Sequence, residues 1–183
     1  WAQRQVETGP PVLTAMRVAF LLFALAAVMP GRAVELSEYQ LKAAFLYNFA
    51  RFTEWPPEVN GTLKLCVHGR DPFGPEMDEL QGKPVGQRLI ATERRPAPGT
   101  LGTCQIVFIS KTAAGDTAAT VRALRNAPIL TLAESPGALE AGAMLNMDVQ
   151  QDRITFSANL KSAQRARLVL SSKLLGLATE VVR

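Results

Sequence analysis

Two runs of this chain admit few folds. Cys104–Ser110 (CQIVFIS) and Pro128–Leu132 (PILTL) are nearly continuous apolar stretches of strand length. A strand with one wet face alternates apolar and polar residues. A run without alternation is expected of a strand covered on both faces, as in parallel sheets layered between helices. Between the two runs, Asp116 is placed to cap a helix over Thr117–Asn126. Strand, helix and strand in that order predict parallel pairing through a right-handed crossover. Leu63–His68 (LKLCVH), closing at Gly69, reads as a third strand, and Gln87–Thr92 (QRLIAT) as a short fourth. Glu93–Gly102, rich in Pro, Gly and Arg, reads as a loop.

The flanks supply helices and a hairpin. Ser37 is a suitable N-cap for a helix that runs to Pro56-Pro57. At 100° per residue its apolar stripe is Leu41, Ala44, Phe45, Asn48, Phe49, Phe52 and Trp55, with Lys42, Arg51 and Glu54 on the flanks or opposite. Leu46 and Tyr47 fall off that stripe. They are the candidates for a second contact, with the domain's own chain, a dimer mate or a foreign partner. Asp71-Pro72 reads as N-cap and first residue of a short helix reaching about Leu80. Ala143–Val149 and Arg153–Ser157 read as a hairpin turning at Gln150-Gln151-Asp152, and Asn159 as the cap of a long helix, Leu160 to about Ala178. The predicted fold is a single three-layer α/β domain. Its sheet is mixed and mostly parallel, flanked by helices, with a late antiparallel hairpin and a long C-terminal helix.

The first 33 residues read as an upstream extension followed by a secretory signal peptide. Translation starting at Met16, a basic Arg17, a twelve-residue uncharged run Val18–Met29 and a cleavage site after Ala33 follow that plan. The apolar run is shorter than the roughly 20 residues a spanning helix needs. An uncleaved anchor is the alternative. The domain proper is then 34–183, with 17 bases and 15 acids once Arg4, Arg17, Arg32 and Glu7 are removed. No Lys and Arg run with interleaved aromatics marks a nucleic-acid partner. Export places Cys66 and Cys104 in an oxidising compartment, where an even count points to a disulfide, with two buried thiols as the alternative. Their separation fits neither a metal knuckle nor a Cys-x-x-Cys redox motif.

Little in the chain carries catalytic chemistry. His68 is the only histidine, at a strand end two residues from Cys66, and a disulfide would consume that nucleophile. Gly-x-Ser-x-Gly, His-Glu-x-x-His and Walker patterns are missing, as are metal-ligand spacings, so no cofactor or metal is expected. Arg70 and Asp71, after the first strand, and Lys111, after Cys104–Ser110, should meet at the carboxyl edge of the sheet. Open α/β sheets bind small ligands there, so the three are candidates for an anion-holding edge.

The motifs "YQLKAAFLYNFARFTEWP" (39–56), "HGRDPFG" (68–74), "CQIVFIS", "PILTL", "GAMLNM" (142–147) and "FSANLKSAQRARLVLSSKLLGLA" (156–178) occur in order through almost the whole domain. With them the chain resembles the YfiR-like family. The resemblance implies a small periplasmic α/β domain without enzymatic activity. It implies repression of an inner-membrane diguanylate cyclase through the periplasmic sensor region, an outer-membrane lipoprotein as a sequestering partner, and a capacity to dimerise. Cyclic di-GMP, and through it biofilm formation, is then the output. The pair Cys66 and Cys104 matches a bridge found in relatives. A second pair that some relatives carry near Met144–Asp152 is missing here. A periplasmic module binding a small anion at the Arg70/Lys111 edge is the other reading.

Overall fold

Ser37 caps the first helix as its position predicts. Its hydroxyl accepts from Gln40 N at 3.1 Å and the Gln40 carboxamide accepts from Ser37 N at 2.8 Å, a reciprocal capping box. The computed structural model describes residues 37–95, 98–151 and 153–183. The leader expected over 1–33 lies outside the described residues.

In chain order the elements are α1 (Glu38–Arg51), β1 (Thr53–Glu54), β2 (Leu63–His68), α2 (Pro75–Asp78), β3 (Pro84–Val85) and β4 (Arg88–Arg95). They continue through β5 (Ile106–Ile109), α3 (Thr117–Leu124), β6 (Leu130–Ala133), β7 (Leu145–Gln150) and β8 (Arg153–Asn159). The last are α4 (Leu160–Arg165), β9 (Val169–Leu170), α5 (Ser172–Leu175) and β10 (Glu180–Val182). Eight strands form one sheet in the order β10-β8-β7-β6-β5-β2-β4-β3. Strands β4, β2, β5, β6 and β7 run parallel, and β8 turns back against β7 as the predicted hairpin, Gln150 opposite Arg153. The fold is therefore mixed α/β with a mostly parallel sheet.

Strand parity sorts the core into two clusters. Leu63, Leu65, Val67, Ile106, Phe108, Leu130 and Leu132 meet Leu46, Phe49 and Phe156 on one face. Cys66, Val107, Ile109 and Ala133 point the other way, toward Cys104, Val121, Leu124 and Ile129. All four residues of β5 and of β6 are buried. That burial is why neither strand alternates in sequence.

Two boundaries shift: α1 ends at Arg51 and not at Pro56-Pro57, and β4 runs on to Arg95 in the segment read as a loop. Four further expectations need correction. The buried face of α1 is Lys42, Ala43, Leu46, Phe49 and Ala50, rotated from the predicted stripe. Ala44 and Asn48 are exposed, and Phe45 and Phe52 are half-buried. Aromatic residues surround so much of this helix that periodicity alone did not select the inner face. Asp71 does not cap a helix. Its carboxylate accepts from Phe73 N at 2.8 Å, and helix α2 begins at Pro75 after Gly74. Asp116 makes no side-chain cap to α3, which is entered through a 3₁₀ turn at Lys111–Asp116 and ends at Leu124.

The fourth correction is the largest. No long C-terminal helix forms. Asn159 does cap a helix, accepting from Ser162 N at 2.9 Å, but α4 ends at Arg165. Arg167 turns the chain with φ 59°. Val169 and Leu170 then pair antiparallel with Glu54 and Thr53, and Ser171 N donates to Phe52 O at 2.9 Å. Ser171 caps the short α5, and β10 adds an edge strand parallel to β8. Leu168, Leu170 and Leu174 are inside, whereas Leu177 is exposed.

Candidate functional site

The parallel strands β2, β5 and β6 end side by side, so the residues that follow them share one edge of the sheet. They are Gly69-Arg70, Ser110-Lys111 and Glu134-Ser135. Gly69 takes φ 91°, and a Cβ there would lie 2.5 Å from Ser110 Oγ and 2.7 Å from Thr112 Oγ1. Only glycine fits so close an approach in that conformation. The Arg70 N–H donates to Thr112 Oγ1 at 2.8 Å and so joins the ends of β2 and β5.

The centre of this edge holds Glu134, a residue not singled out from sequence. Its side chain is fully buried and accepts from Lys42 Nζ at 2.5 Å, from Lys111 N at 3.0 Å and from the Tyr39 hydroxyl at 3.4 Å. Lys42 is itself 1% exposed and also reaches Glu38 at 2.5 Å, whose carboxylate meets Lys111 Nζ at 3.5 Å. The result is an alternating chain of two lysines and two glutamates that ties α1 to the sheet edge. Burial works to lower the Lys42 pKa, but the bonds to Glu134 and Glu38 outweigh it, so the net shift is upward and the ammonium stays charged. The same Lys42 bond holds Glu38 below the usual glutamate value. Burial first, and then the Glu134 charge, raise the Tyr39 phenol.

The predicted anion edge is not assembled. Lys111 faces Glu38. Asp71 faces Arg94, which also reaches Asp78 and Gly74 O. Arg70 is exposed at the end of β2 and contributes its backbone to the Thr112 bond. Three residues close in the topology thus serve three different neighbours.

His68 lies at the same edge, 2% exposed, with neither ring nitrogen hydrogen-bonded and Asp116 Oδ2 3.8 Å from Nε2. Burial pushes its pKa below 6.5, and the Asp116 charge opposes that only in part. The folded protein therefore holds His68 neutral where the unfolded chain would bind a proton. Stability is full above about pH 6.5 and falls as the pH drops below it, by up to about 1.4 kcal/mol per pH unit. Urea midpoints between about pH 7.5 and 5.5 should show that loss, and His68→Phe should flatten it. A midpoint independent of pH in the parent protein would contradict the assignment.

The predicted pair on α1 separates. Leu46 has no exposed surface and packs in the domain's own core, so it offers nothing to a partner. Its contact is with its own chain because the inner face of α1 is turned toward it. Tyr47 is half-buried and its hydroxyl donates to Pro84 O at 2.8 Å. Arg51 and Lys83 stand 5.6 and 5.5 Å from its ring centroid. Beside it, a groove of about 610 Å³ runs past Arg51, Trp55, Asn60 and Arg88, and the Trp55 indole N–H has no acceptor among the described residues.

Cys66 and Cys104 form the expected disulfide, with Cα atoms 6.1 Å apart and both residues buried. Cys104 sits just before β5, not within it.

Residues 39–179 match the family model of YfiR/HmsC-like proteins. The chain belongs to the YfiR/HmsC-like family. The match takes in α1 from Tyr39 on, the disulfide, the Lys42–Glu134 pair and all strands up to β9, so these features are parts of a YfiR/HmsC-like domain. Among solved structures, the chain is similar to a conserved domain protein from Vibrio cholerae O1 biovar El Tor, at 8% identity and TM-score 0.54 over 80% of this chain. It is also similar to an ABC domain in complex with L-Trp from Streptococcus pneumoniae, at 10% identity and TM-score 0.51 over 79% of this chain. The chain spans about three fifths of each, 61% and 60%. At such identities the likeness concerns the α/β fold alone.

Proposed function

We propose that this protein is a periplasmic, non-enzymatic regulator. It binds the periplasmic sensor region of an inner-membrane diguanylate cyclase and represses it, tuning cyclic di-GMP and biofilm formation. The observation that carries the reading is the family match over 39–179. Export would be supplied by the leader read over 1–33. An outer-membrane lipoprotein that sequesters the repressor, and a second copy of the chain, belong to the same reading as further partners.

Tyr47 and its surroundings are the surface we assign to such a partner. Leu46 is withdrawn into the core, which leaves Tyr47 with Arg51 and Lys83 over its ring, and Arg51 also lines the Trp55 groove. Aromatic and arginine side chains at a concave surface are the usual anchors of protein interfaces. The alternative, an anion module at Arg70, Asp71 and Lys111, draws no support from the partners those side chains have.

Expression of the chain with its leader in its source organism should lower cellular cyclic di-GMP, and expression without the leader should not. Unchanged cyclic di-GMP in cells that export the protein would remove the proposal.

A further inference from the structure

A second concavity lies on the opposite face of the sheet, over the disulfide-containing cluster. It encloses about 310 Å³ between α3, α4 and the segment leading into β7. Three exposed arginines line it: Arg122 on α3, Arg125 as the residue that ends α3, and Arg165 on α4. Glu140 is the one acid among its lining residues, which leaves an excess of two positive charges. Among the described residues, none forms an ion pair or hydrogen bond with the Arg122 or Arg125 side chain. Arg165 is held in place by its own helix, through Lys161 O at 3.4 Å and Ser162 Oγ at 3.2 Å.

The floor is built rather than incidental. Thr131 on β6 and Ser162 on α4 are buried hydroxyls at its base. Gly142 has φ 102°, and a Cβ on it would stand 3.2 Å from Val121 Cγ1 and 3.8 Å from Ser162 Oγ, both in the cavity lining. Any side chain at 142 would enter this space, so the glycine keeps it open. Val121 and Met144 add an apolar wall.

We propose that this cavity binds a small organic molecule with a doubly anionic head, a phosphate monoester or a dicarboxylate. Planar guanidinium forks that line one cavity match the oxygen pairs of those groups. Uncompensated like charges in one concavity repel each other, and a dianion relieves that repulsion. The volume stands at the low end of the roughly 300–1,000 Å³ typical of ligand sites, which suits a metabolite-sized anion and not a nucleotide or peptide. The apolar wall gives the body of the molecule a place that free phosphate does not use. The site rests on none of the residues assigned to the partner surface, so it stands or falls separately from the regulator reading.

The test is isothermal titration of the purified exported protein with phenyl phosphate, succinate and inorganic phosphate. Saturable binding of phenyl phosphate or succinate is expected, tighter than that of inorganic phosphate and weakened by added salt. Arg122→Gln and Arg125→Gln should each raise the dissociation constant roughly tenfold, with the melting temperature unchanged. Arg70→Gln should leave it unaltered. The proposal is overturned if none of the three probes saturates the protein. It is equally overturned if the Arg122→Gln/Arg125→Gln double variant retains affinity within about twofold.

Discussion

Lys42→Met should destabilise the domain by about 3–5 kcal/mol, as much as truncating a core aromatic. The reason is what it leaves behind. Glu134 is fully buried, and among the described residues its only cationic partner is Lys42. Without it the carboxylate keeps the Lys111 N–H and the Tyr39 hydroxyl, both neutral donors. A buried charge stripped of its counter-ion costs far more than the pair contributes when intact. Removing both charges should therefore recover much of the loss. Urea unfolding of Lys42→Met, Glu134→Leu and the double variant forms a cycle in which the double should be markedly more stable than the sum of the singles. A Lys42→Met variant within about 0.5 kcal/mol of the parent would show that the pair is not buried in solution.

Loss of the disulfide is the second large effect. Cys66 sits in the middle of β2, and Cys104 leads into β5 from 38 residues further on. The bridge closes that loop in the unfolded chain, so Cys66→Ala/Cys104→Ala should lose about 2–4 kcal/mol and lower the melting temperature by roughly 5–15 °C. Both residues are at most 1% exposed, so a reductant must wait for the strands to open. Dithiothreitol should reduce the bridge slowly in buffer and quickly in urea, as mass spectrometry after alkylation would show. Immediate alkylation of both cysteines in the native protein would contradict this placement.

The parts of the fold that were legible in the sequence are those whose burial is uniform. Strands β5 and β6 are covered on both faces, and no charged residue interrupts them. The hairpin was legible because its arms alternate. The C-terminal region was not, because Leu168, Leu170, Leu174 and Leu175 have helical spacing whether or not one helix carries them. The break is made by a positive φ at Arg167 and by pairing of Val169 and Leu170 with β1, a partner more than a hundred residues away. Ser171-Ser172, a cap signal in mid-run, was the available clue.

The site was less legible for a similar reason. Lys42 falls beside or opposite the predicted apolar stripe, where lysine is ordinary, and Glu134 follows a strand where a polar residue is ordinary. Each explains the other only once topology brings them together across 92 positions. Arg70, Asp71 and Lys111 show the converse. Topology brings them to one edge, but side-chain partners far off in sequence, Arg94 for Asp71 and Glu38 for Lys111, decide where two of them point.

The regulator reading makes one direct demand. The purified exported protein should bind the periplasmic segment of at least one diguanylate cyclase from its own organism. Size-exclusion chromatography with light scattering, run on a panel of those segments, would measure it. The account predicts a co-eluting complex with a saturable stoichiometry, disrupted by Tyr47→Ala together with Arg51→Ala. Failure to bind every segment, under oxidising and reducing conditions alike, would contradict it.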